Sequence, residues 1–253
     1  MTSVVRFFFV LCWSFAAVLF CGCESPNAPA QPPPIPPAQP AAPENAAQPT
    51  HSDAVPVPAP AVAHAANRKI LSLFDGESLA GWEPTNFGGE GECRAEEGKL
   101  IIEPGYPMSG VTSTRSDLPK SNYEISLEVQ RTTGIDFFCG LTFPVNDSHC
   151  SLILGGWAGT VVGLSNIDDQ DASRNETRKL MRFEKHRWYK VKVRVEPQRI
   201  QAWIDEEQVV DQDITGRKIS LRNETLPSRP LGICNFETTS EFKHIELTEL
   251  PND

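Results

Sequence analysis

The sequence from about residue 70 onward predicts an all-β fold, a sandwich or jelly roll of two antiparallel sheets. Residues 123–130 and 189–196 alternate strictly between apolar and polar side chains, which is typical of strands with one buried face. Residues 137–143 and 152–164 are almost continuously apolar, which predicts central strands covered on both sides. No long stretch has helical periodicity, and many short strands within one domain favour two packed layers.

Turns are predicted where glycine, proline and acidic residues interrupt the apolar pattern, at residues 96–98, 103–105, 205–206 and 227–228. The charged stretch 174–185 is compatible with one short helix or with a loop, and the pattern leaves both open. The short spacing of these signals favours strands joined by hairpins.

The first 22 residues have the features of a secretory signal. Arg6 precedes an apolar run at residues 7–20, which is too short to span a membrane stably. A cysteine directly after Gly22 is typical of lipoprotein signals, so we expect cleavage before Cys23 and attachment of a diacylglycerol to its thiol. Ordinary cleavage nearby and a retained anchor are the alternatives. Each of them places the remaining chain outside the cytoplasm, in the cell envelope, on the periplasmic or outer surface.

The next segment, residues 23–69, is predicted to be a disordered tether rich in proline and alanine. Thirteen of the 22 prolines lie between residues 24 and 67, and large apolar side chains that a core needs are nearly missing there. A polyproline-type chain of this length reaches on the order of 100 Å. The organisation is therefore a signal peptide at 1–22, a lipid-anchored linker at 23–69 and one domain at 70–250.

Charge and cysteine content limit the partners of the domain. The formal net charge of -10 argues against nucleic acid and against electrostatic adhesion to anionic lipid, so contact with a membrane is expected only through the anchor. An exported protein can form disulfides, and Cys139 and Cys150 flank a predicted turn at 144–147. A bridge between them and buried free thiols both stay open. The other two domain cysteines are Cys93 and Cys234.

Several segments together resemble the DUF1080 family, also called the 3-keto-disaccharide hydrolase domain. The matching sequence segments are residues 73–82 (LFDGESLAGW), 91–100, 123–129, 188–191, 200–205, 209–211, 231–233 and 242–247. The resemblance covers about residues 71–250. It implies a concanavalin A-like jelly roll with one concave sheet, and an activity on sugars outside the cytoplasm.

The resemblance also implies which chemistry the domain needs. Splitting a 3-keto glycoside by elimination requires a general base, a group that stabilises the enolate and an acid for the leaving oxygen. His149 is the first candidate base because imidazole titrates near neutral pH, and a structural histidine at a strand end is the alternative. Asp136 lies in the middle strands that, by the resemblance, line the substrate face, and we predict that it shares catalysis with His149.

An acidic loop offers a candidate metal site. Asp168, Asp169 and Asp171 place carboxylates at close positions, and oxygen ligands suit Ca²⁺ or another divalent cation. The glycine and the final glutamate of the full calcium-loop pattern are missing. A plain acidic turn therefore stays open beside the metal site.

Four further residues are candidates for binding a sugar. Trp157 is flanked by glycines, so its indole is predicted to be an exposed stacking surface or, alternatively, to fill the core. Trp203 falls on the polar side of its strand and is expected to face outward. Arg174 and Glu176 follow the acidic loop and are predicted to grip sugar hydroxyls, although a solvated charged surface has the same composition.

Three functions are compatible with the sequence. The first is an exported lipoprotein that hydrolyses or eliminates 3-keto glycosides. The second is a carbohydrate-binding module without catalysis, because the sequence of residues 134–153 differs from the sequence that is usual at this place in the family. The third is an envelope interaction module on the same fold.

Overall fold

The computed structural model describes residues 69–251. The predicted signal, Cys23 and the linker up to residue 68 lie outside the described residues. The described part contains fifteen strands in two antiparallel sheets, which confirms the predicted all-β sandwich. Within residues 69–251, no helix has the length and hydropathy needed to cross a bilayer.

The larger sheet contains both of the strands that alternation predicts. Its order is β13 (Glu207–Asp213), β12 (Arg199–Ile204), β11 (Tyr189–Glu196), β6 (Tyr123–Thr133), β15 (Thr239–Glu249), β4 (Lys99–Ile102) and β3 (Cys93–Glu96), with β1 (Ile70–Ser72) paired to β15. Every second side chain of β6 and β11 is buried, starting from Tyr123 and Tyr189. The hairpins predicted at 96–98 and 205–206 are both present, joining β3 to β4 and β12 to β13.

The smaller sheet is built from the more continuously apolar segments. Its order is β10 (Lys179–Leu180), β9 (Val161–Ser165), β8 (Ser148–Gly155), β7 (Cys139–Val145), β14 (Gly232–Phe236), β5 (Met108–Ser113) and β2 (Trp82–Pro84). The apolar run 152–164 is two strands rather than one, because the chain reverses at the short turn α1 (Gly156–Gly159). The stretch 174–185 is a loop that carries only β10, and residues Asn223–Ser228 form a 3₁₀ helix, η1.

The core lies between the two sheets. Each central strand of the smaller sheet contributes one residue to a fully apolar row across the interior: Val111, Ile233, Leu141, Leu152 and Leu164. At one end of the core, Phe138 is fully buried and meets the rings of Phe183 and Tyr189. This packing anchors the chain immediately before β7, where Asp136 lies.

The outer face of the smaller sheet carries almost only small side chains. Strand register places Thr112, Gly232, Thr142, Ser151 and Ser165 in one row, and Gly110, Cys234, Gly140, Ile153 and Gly163 in the next. All ten are buried, although they do not face the core. Small side chains allow other backbone to lie directly on a sheet, so this face must be covered by further chain.

The cover comes from two loops. We call residues 217–228 the covering segment. Pro227 accepts a hydrogen bond from the Thr112 hydroxyl at 3.2 Å, and Ile219 accepts one from Ser148 at 2.6 Å. The second loop lies between β9 and β10 and contains Ala172. A Cβ on Gly163 would lie 3.2 Å from the Cβ of Ala172. The two loops therefore cover the middle of the outer face of the smaller sheet, and open hollows remain towards the two ends of this face.

The domain cysteines are free thiols. Register pairs Cys139 with Leu154 and Cys150 with Phe143, so the two cysteines are not opposite each other and the bridge between them is ruled out. Cys139, Cys150 and Cys234 are buried and Cys93 is partly buried. Burial raises the pKa of Cys150 and of Cys234 to about 12, which leaves little reactive thiolate at neutral pH.

A reducing agent is therefore expected to leave the thermal midpoint of the protein unchanged. A native disulfide would contribute about 2–4 kcal/mol, which reduction would remove. Differential scanning calorimetry with and without dithiothreitol measures the difference. A fall of several degrees in the midpoint would show that a disulfide stabilises the fold.

Candidate functional site

One hollow at an end of the smaller sheet brings candidate residues together. We call it the Trp157 hollow, and its volume is about 200 Å³. Its walls come from the chain before β7, the ends of β8 and β14, the start of β5, and η1 with the residue before it. The lining residues are Met108, Asp136, Phe137, Ile153, Trp157, Arg222, Glu224, Thr225 and Phe236.

The turn after β8 holds Trp157 at the edge of this hollow. Trp157 and Ala158 both have left-handed backbone angles, with φ of 49° and 65°, which is uncommon for residues other than glycine. Gly159 has a φ of 99°, and a Cβ there would lie 2.4 Å from the Ile135 carbonyl oxygen. Trp157 as a whole residue is 38% exposed, so the expectation that it is exposed is confirmed, while the stacking role of its indole stays a prediction.

Asp136, which also lines the hollow, fixes this turn. Its Oδ1 accepts a hydrogen bond from the Phe137 amide at 2.7 Å, and its Oδ2 accepts one from the Ala158 amide at 3.0 Å. Beneath it, the buried Arg131 donates to the carbonyl oxygens of Asp136 and Phe183, both at 3.1 Å. Desolvation lowers the pKa of Arg131. The carboxylate is thus held in one position with a lone pair remaining on each oxygen.

Arg222 and Glu224 complete the charged edge of the hollow, and the sequence analysis did not identify either. Arg222 lies 3.0 Å from Glu224 and 3.0 Å from Asp171, and its guanidinium carbon is 5.8 Å from the centre of the Trp157 ring. The hydrogen bond from Arg222 lowers the pKa of Glu224. A single cation therefore connects the acidic loop, η1 and the indole.

His149 lies in a second hollow, away from Asp136. It pairs with Pro144 near the far end of β7, whereas Asp136 precedes the first residue of that strand. Pro144 is five residues beyond Cys139, the first residue of β7, which corresponds to about 17 Å of strand. The two predicted catalytic residues are therefore not brought together. Desolvation lowers the pKa of His149, and the positive charges of Arg229 and Lys120 lower it further.

The acidic loop does not form a metal site of the predicted kind. Asp168 accepts hydrogen bonds from the Arg217 side chain and the Lys218 amide, and Asp169 pairs with Lys218 at 2.8 Å. Asp171 binds the Ser173 amide and Arg222. Among residues 69–251, no three histidine, cysteine or acidic side chains are grouped to hold a metal ion. The carboxylates bind cations of the covering segment instead, so the donor set does not fit Ca²⁺ or another divalent cation.

The remaining sugar-binding candidates lie outside the Trp157 hollow. Glu176 pairs with Arg217 at 2.6 Å and belongs to the same contact between the two loops. Arg174 is exposed and does not line the hollow. Trp203 faces outward as predicted, but on the larger sheet, where the Lys192 ammonium lies 4.3 Å from the centre of its ring.

These ion pairs are expected to make the attachment of the covering segment dependent on pH. The pKa of Asp168 is lowered by the Lys218 amide and by Arg217, and that of Glu176 is lowered mainly by Arg217. Groups with a depressed folded-state pKa stabilise the fold above their unfolded pKa, here about 4, and that stabilisation is lost as the pH falls through the folded value.

Arg217→Gln is expected to accelerate amide exchange of residues 217–222 at pH 7 by a few fold only, because exposed ion pairs are individually weak. The wild-type protein should approach the exchange of the variant as the pH falls below 4, after correction for intrinsic rates. Arg199→Gln, which removes an exposed ion pair with Asp211 on the larger sheet, is the matched control and should leave this segment unchanged. Equal protection of residues 217–222 in Arg217→Gln and in the wild type would contradict the role of the ion pairs.

The model of the 3-keto-alpha-glucoside-1,2-lyase-like domain family matches residues 69–248. No curated protein matches the chain.

Solved structures that match part of this chain include three carbohydrate-related proteins. A Crh5 transglycosylase in complex with NAG has 10% identity, with 74% of this chain and 86% of that chain covered and a TM-score of 0.48. A glycosidic hydrolase has 11% identity, coverage of 74% and 96%, and a TM-score of 0.44. The carbohydrate-binding module CBM66 from Bacillus subtilis has 13% identity, coverage of 66% and 94%, and a TM-score of 0.40.

Proposed function

The chain belongs to the 3-keto-alpha-glucoside-1,2-lyase-like domain family, and on that premise we propose that it splits 3-keto glycosides in the Trp157 hollow. The observation that carries the proposal is the convergence of an exposed indole, two carboxylates and a guanidinium on one hollow. An exposed indole is a suitable surface for the C–H face of a sugar. Fixed charges around a partly enclosed space can stabilise charge that develops during a reaction.

The residues of the hollow supply the groups that an elimination needs. The ketone at C3 acidifies the hydrogen on C2, and Asp136 accepts that proton as the general base. The electron pair forms a C1=C2 double bond while the bond from C1 to the glycosidic oxygen breaks. Arg222 faces the negative charge that develops on the ketone oxygen, and Glu224 orients Arg222. The leaving oxygen takes a proton from water at the open mouth, and the hydroxide formed takes up the proton held by Asp136, which restores the carboxylate. Later addition of water to the double bond gives net hydrolysis.

The test uses the purified full chain and a panel of 3-keto α-glucosides with different leaving groups. Release of the leaving alcohol together with an unsaturated sugar product, followed by chromatography and mass spectrometry, is the expected result. An active family member on the same panel is the positive control. If this chain releases no product from any substrate that the control cleaves, the proposed activity is overturned.

We also propose that the protein is an exported lipoprotein held in the cell envelope through Cys23. The short apolar run and the cysteine after Gly22 support this proposal. Cys23→Ala is expected to move the protein from the membrane fraction to the soluble fraction of the envelope. If Cys23→Ala fractionates like the wild type, lipid attachment at Cys23 is contradicted.

A second candidate function is carbohydrate binding without catalysis. It is favoured by the two backbone hydrogen bonds of Asp136, which give the carboxylate a structural task in holding the Trp157 turn. In that case the protein binds glycosides and their 3-keto forms with similar affinity and releases no product. Calorimetry on the same panel separates the two functions.

A further inference from the structure

The floor of the Trp157 hollow is apolar, and its polar groups are already engaged. Met108, Phe137, Ile153 and Phe236 contribute hydrocarbon surface. Both oxygens of Asp136 accept backbone hydrogen bonds, and Arg222 already faces two carboxylates. A hydroxylated ring pushed against the four hydrocarbon side chains of this floor would lose hydrogen bonds to water that these side chains cannot replace, which is unfavourable for each hydroxyl group. The floor therefore suits a hydrocarbon group rather than a sugar.

The size of the hollow limits that group to a single ring. Its volume is about 200 Å³, and an apolar protein cavity of about 150 Å³ is large enough to bind benzene. A disaccharide does not fit within this volume, so its second sugar would project into solvent. A phenyl ring or a short branched alkyl group would fill it.

Several exposed apolar side chains belong to the chain segments that line the same hollow. The described residues contain six large hydrophobic side chains that are exposed: Ile70, Tyr106, Ile135, Trp157, Leu180 and Leu226. Trp157 lines the hollow, and three others lie within two residues of a lining residue: Tyr106 beside Met108, Ile135 beside Asp136, and Leu226 beside Thr225. Concentration of exposed apolar surface at one place is typical of a binding site.

The charge around the hollow limits the ligand further. Asp136, Asp171 and Glu224 are acidic, and Arg222 binds two of these three carboxylates. Arg131 lies beneath Asp136 with both of its terminal nitrogens bonded to carbonyl oxygens. An anionic group at the floor would face three carboxylates and the single cation Arg222, which already binds two of them, so the apolar group must be uncharged.

We propose that the Trp157 hollow binds the aglycone of a glycoside, namely an uncharged, ring-sized apolar group, while the sugar ring lies at the mouth over Trp157. The proposal rests on the proposed function, because it names the substrate class of the same site. The substrates are then aryl or branched-alkyl glycosides rather than disaccharides. The leaving alcohol is a phenol or a small apolar alcohol.

The test measures binding of unoxidised glucosides to the purified full chain by calorimetry, since these lack the ketone that elimination requires. Phenyl glucoside, in at least one anomer, is expected to bind about 10-fold or more tightly than the matching methyl glucoside, from burial of the ring. Free phenol and 4-carboxyphenyl glucoside should both bind at least about 10-fold more weakly than phenyl glucoside. Equal affinity for the methyl and phenyl glucosides, or for phenol and phenyl glucoside, would overturn the proposal.

Variants locate the effect within the protein. Phe236→Ala and Met108→Ala are expected to reduce the preference for phenyl over methyl to about 3-fold or less while leaving the affinity for methyl glucoside unchanged. Leu180→Ala removes an exposed apolar side chain at the far edge of the smaller sheet and should keep the full preference. A preference that survives both floor variants would place the phenyl group elsewhere and contradict the proposal. Lack of turnover on 3-keto substrates would remove the proposed activity but would not change this preference, so the two failures are distinguishable.

Discussion

Trp157→Ala is expected to weaken binding of a 3-keto glycoside by about 30-fold, with a matching loss in kcat/KM. Truncation to alanine of a tryptophan that makes a main contact of an interface typically costs about 2 kcal/mol or more, and 1.4 kcal/mol corresponds to a tenfold change. The indole offers a flat apolar surface on which a sugar ring can stack, and Trp157 is 38% exposed and lines the hollow. Calorimetry on wild-type and variant protein measures the loss.

Trp203→Ala is the matched control for this experiment. Trp203 is also partly exposed and also lies beside a cation, but it belongs to the larger sheet. We expect its replacement to leave the affinity within about 2-fold of wild type, because surface changes away from a site usually alter free energies by less than about 0.5 kcal/mol. A loss in Trp203→Ala with none in Trp157→Ala would place the sugar on the larger sheet.

Asp136→Asn is expected to lower kcat on 3-keto glycosides by about 10²–10⁴-fold, the range that removal of a general base usually produces. The variant also places an amide NH₂ where one carboxylate oxygen now accepts a backbone hydrogen bond. Amide exchange of residues 155–160 therefore has to be measured beside turnover. If Asp136→Asn loses turnover while amide exchange of residues 155–160 stays close to wild type, the loss is due to the missing carboxylate and not to a change in the turn.

His149→Gln is the companion variant, because His149 was the first candidate base and lies in the other hollow. We expect its kcat to remain within about 2-fold of wild type, since about 17 Å of strand separates it from the Asp136 end of β7. A large loss of turnover in His149→Gln with full activity in Asp136→Asn would move the reaction to the second hollow.

The fold could be predicted because its signals are local. Alternation in β6 and β11 identifies strands of the larger sheet, and the resemblance at residues 73–82 and 242–247 identifies the family that the match over 69–248 confirms. The break at Gly156–Gly159 was missed because the apolar run continues through it. Glycines beside Trp157 are consistent with a reversal, but the composition of the run favoured one strand.

The site could be predicted only in part because it is assembled from segments far apart in the sequence. Asp136 and Trp157 were both identified, and the structure joins them through the Ala158 amide. Arg222 lies 65 positions after Trp157, and its approach depends on the covering segment lying across the small side chains of the sheet. No local pattern of residues indicates that contact. The same cause explains the acidic loop, whose carboxylates bind Arg217, Lys218 and Arg222 rather than a metal ion.

A crystal structure of the full chain with phenyl glucoside tests the central claim most directly. The account predicts one bound molecule in the Trp157 hollow, with the phenyl ring against Phe236 and Met108 and the sugar ring about 4 Å from the indole of Trp157. A molecule bound beside His149 in the second hollow, or on the larger sheet at Trp203, with the Trp157 hollow empty, would contradict it.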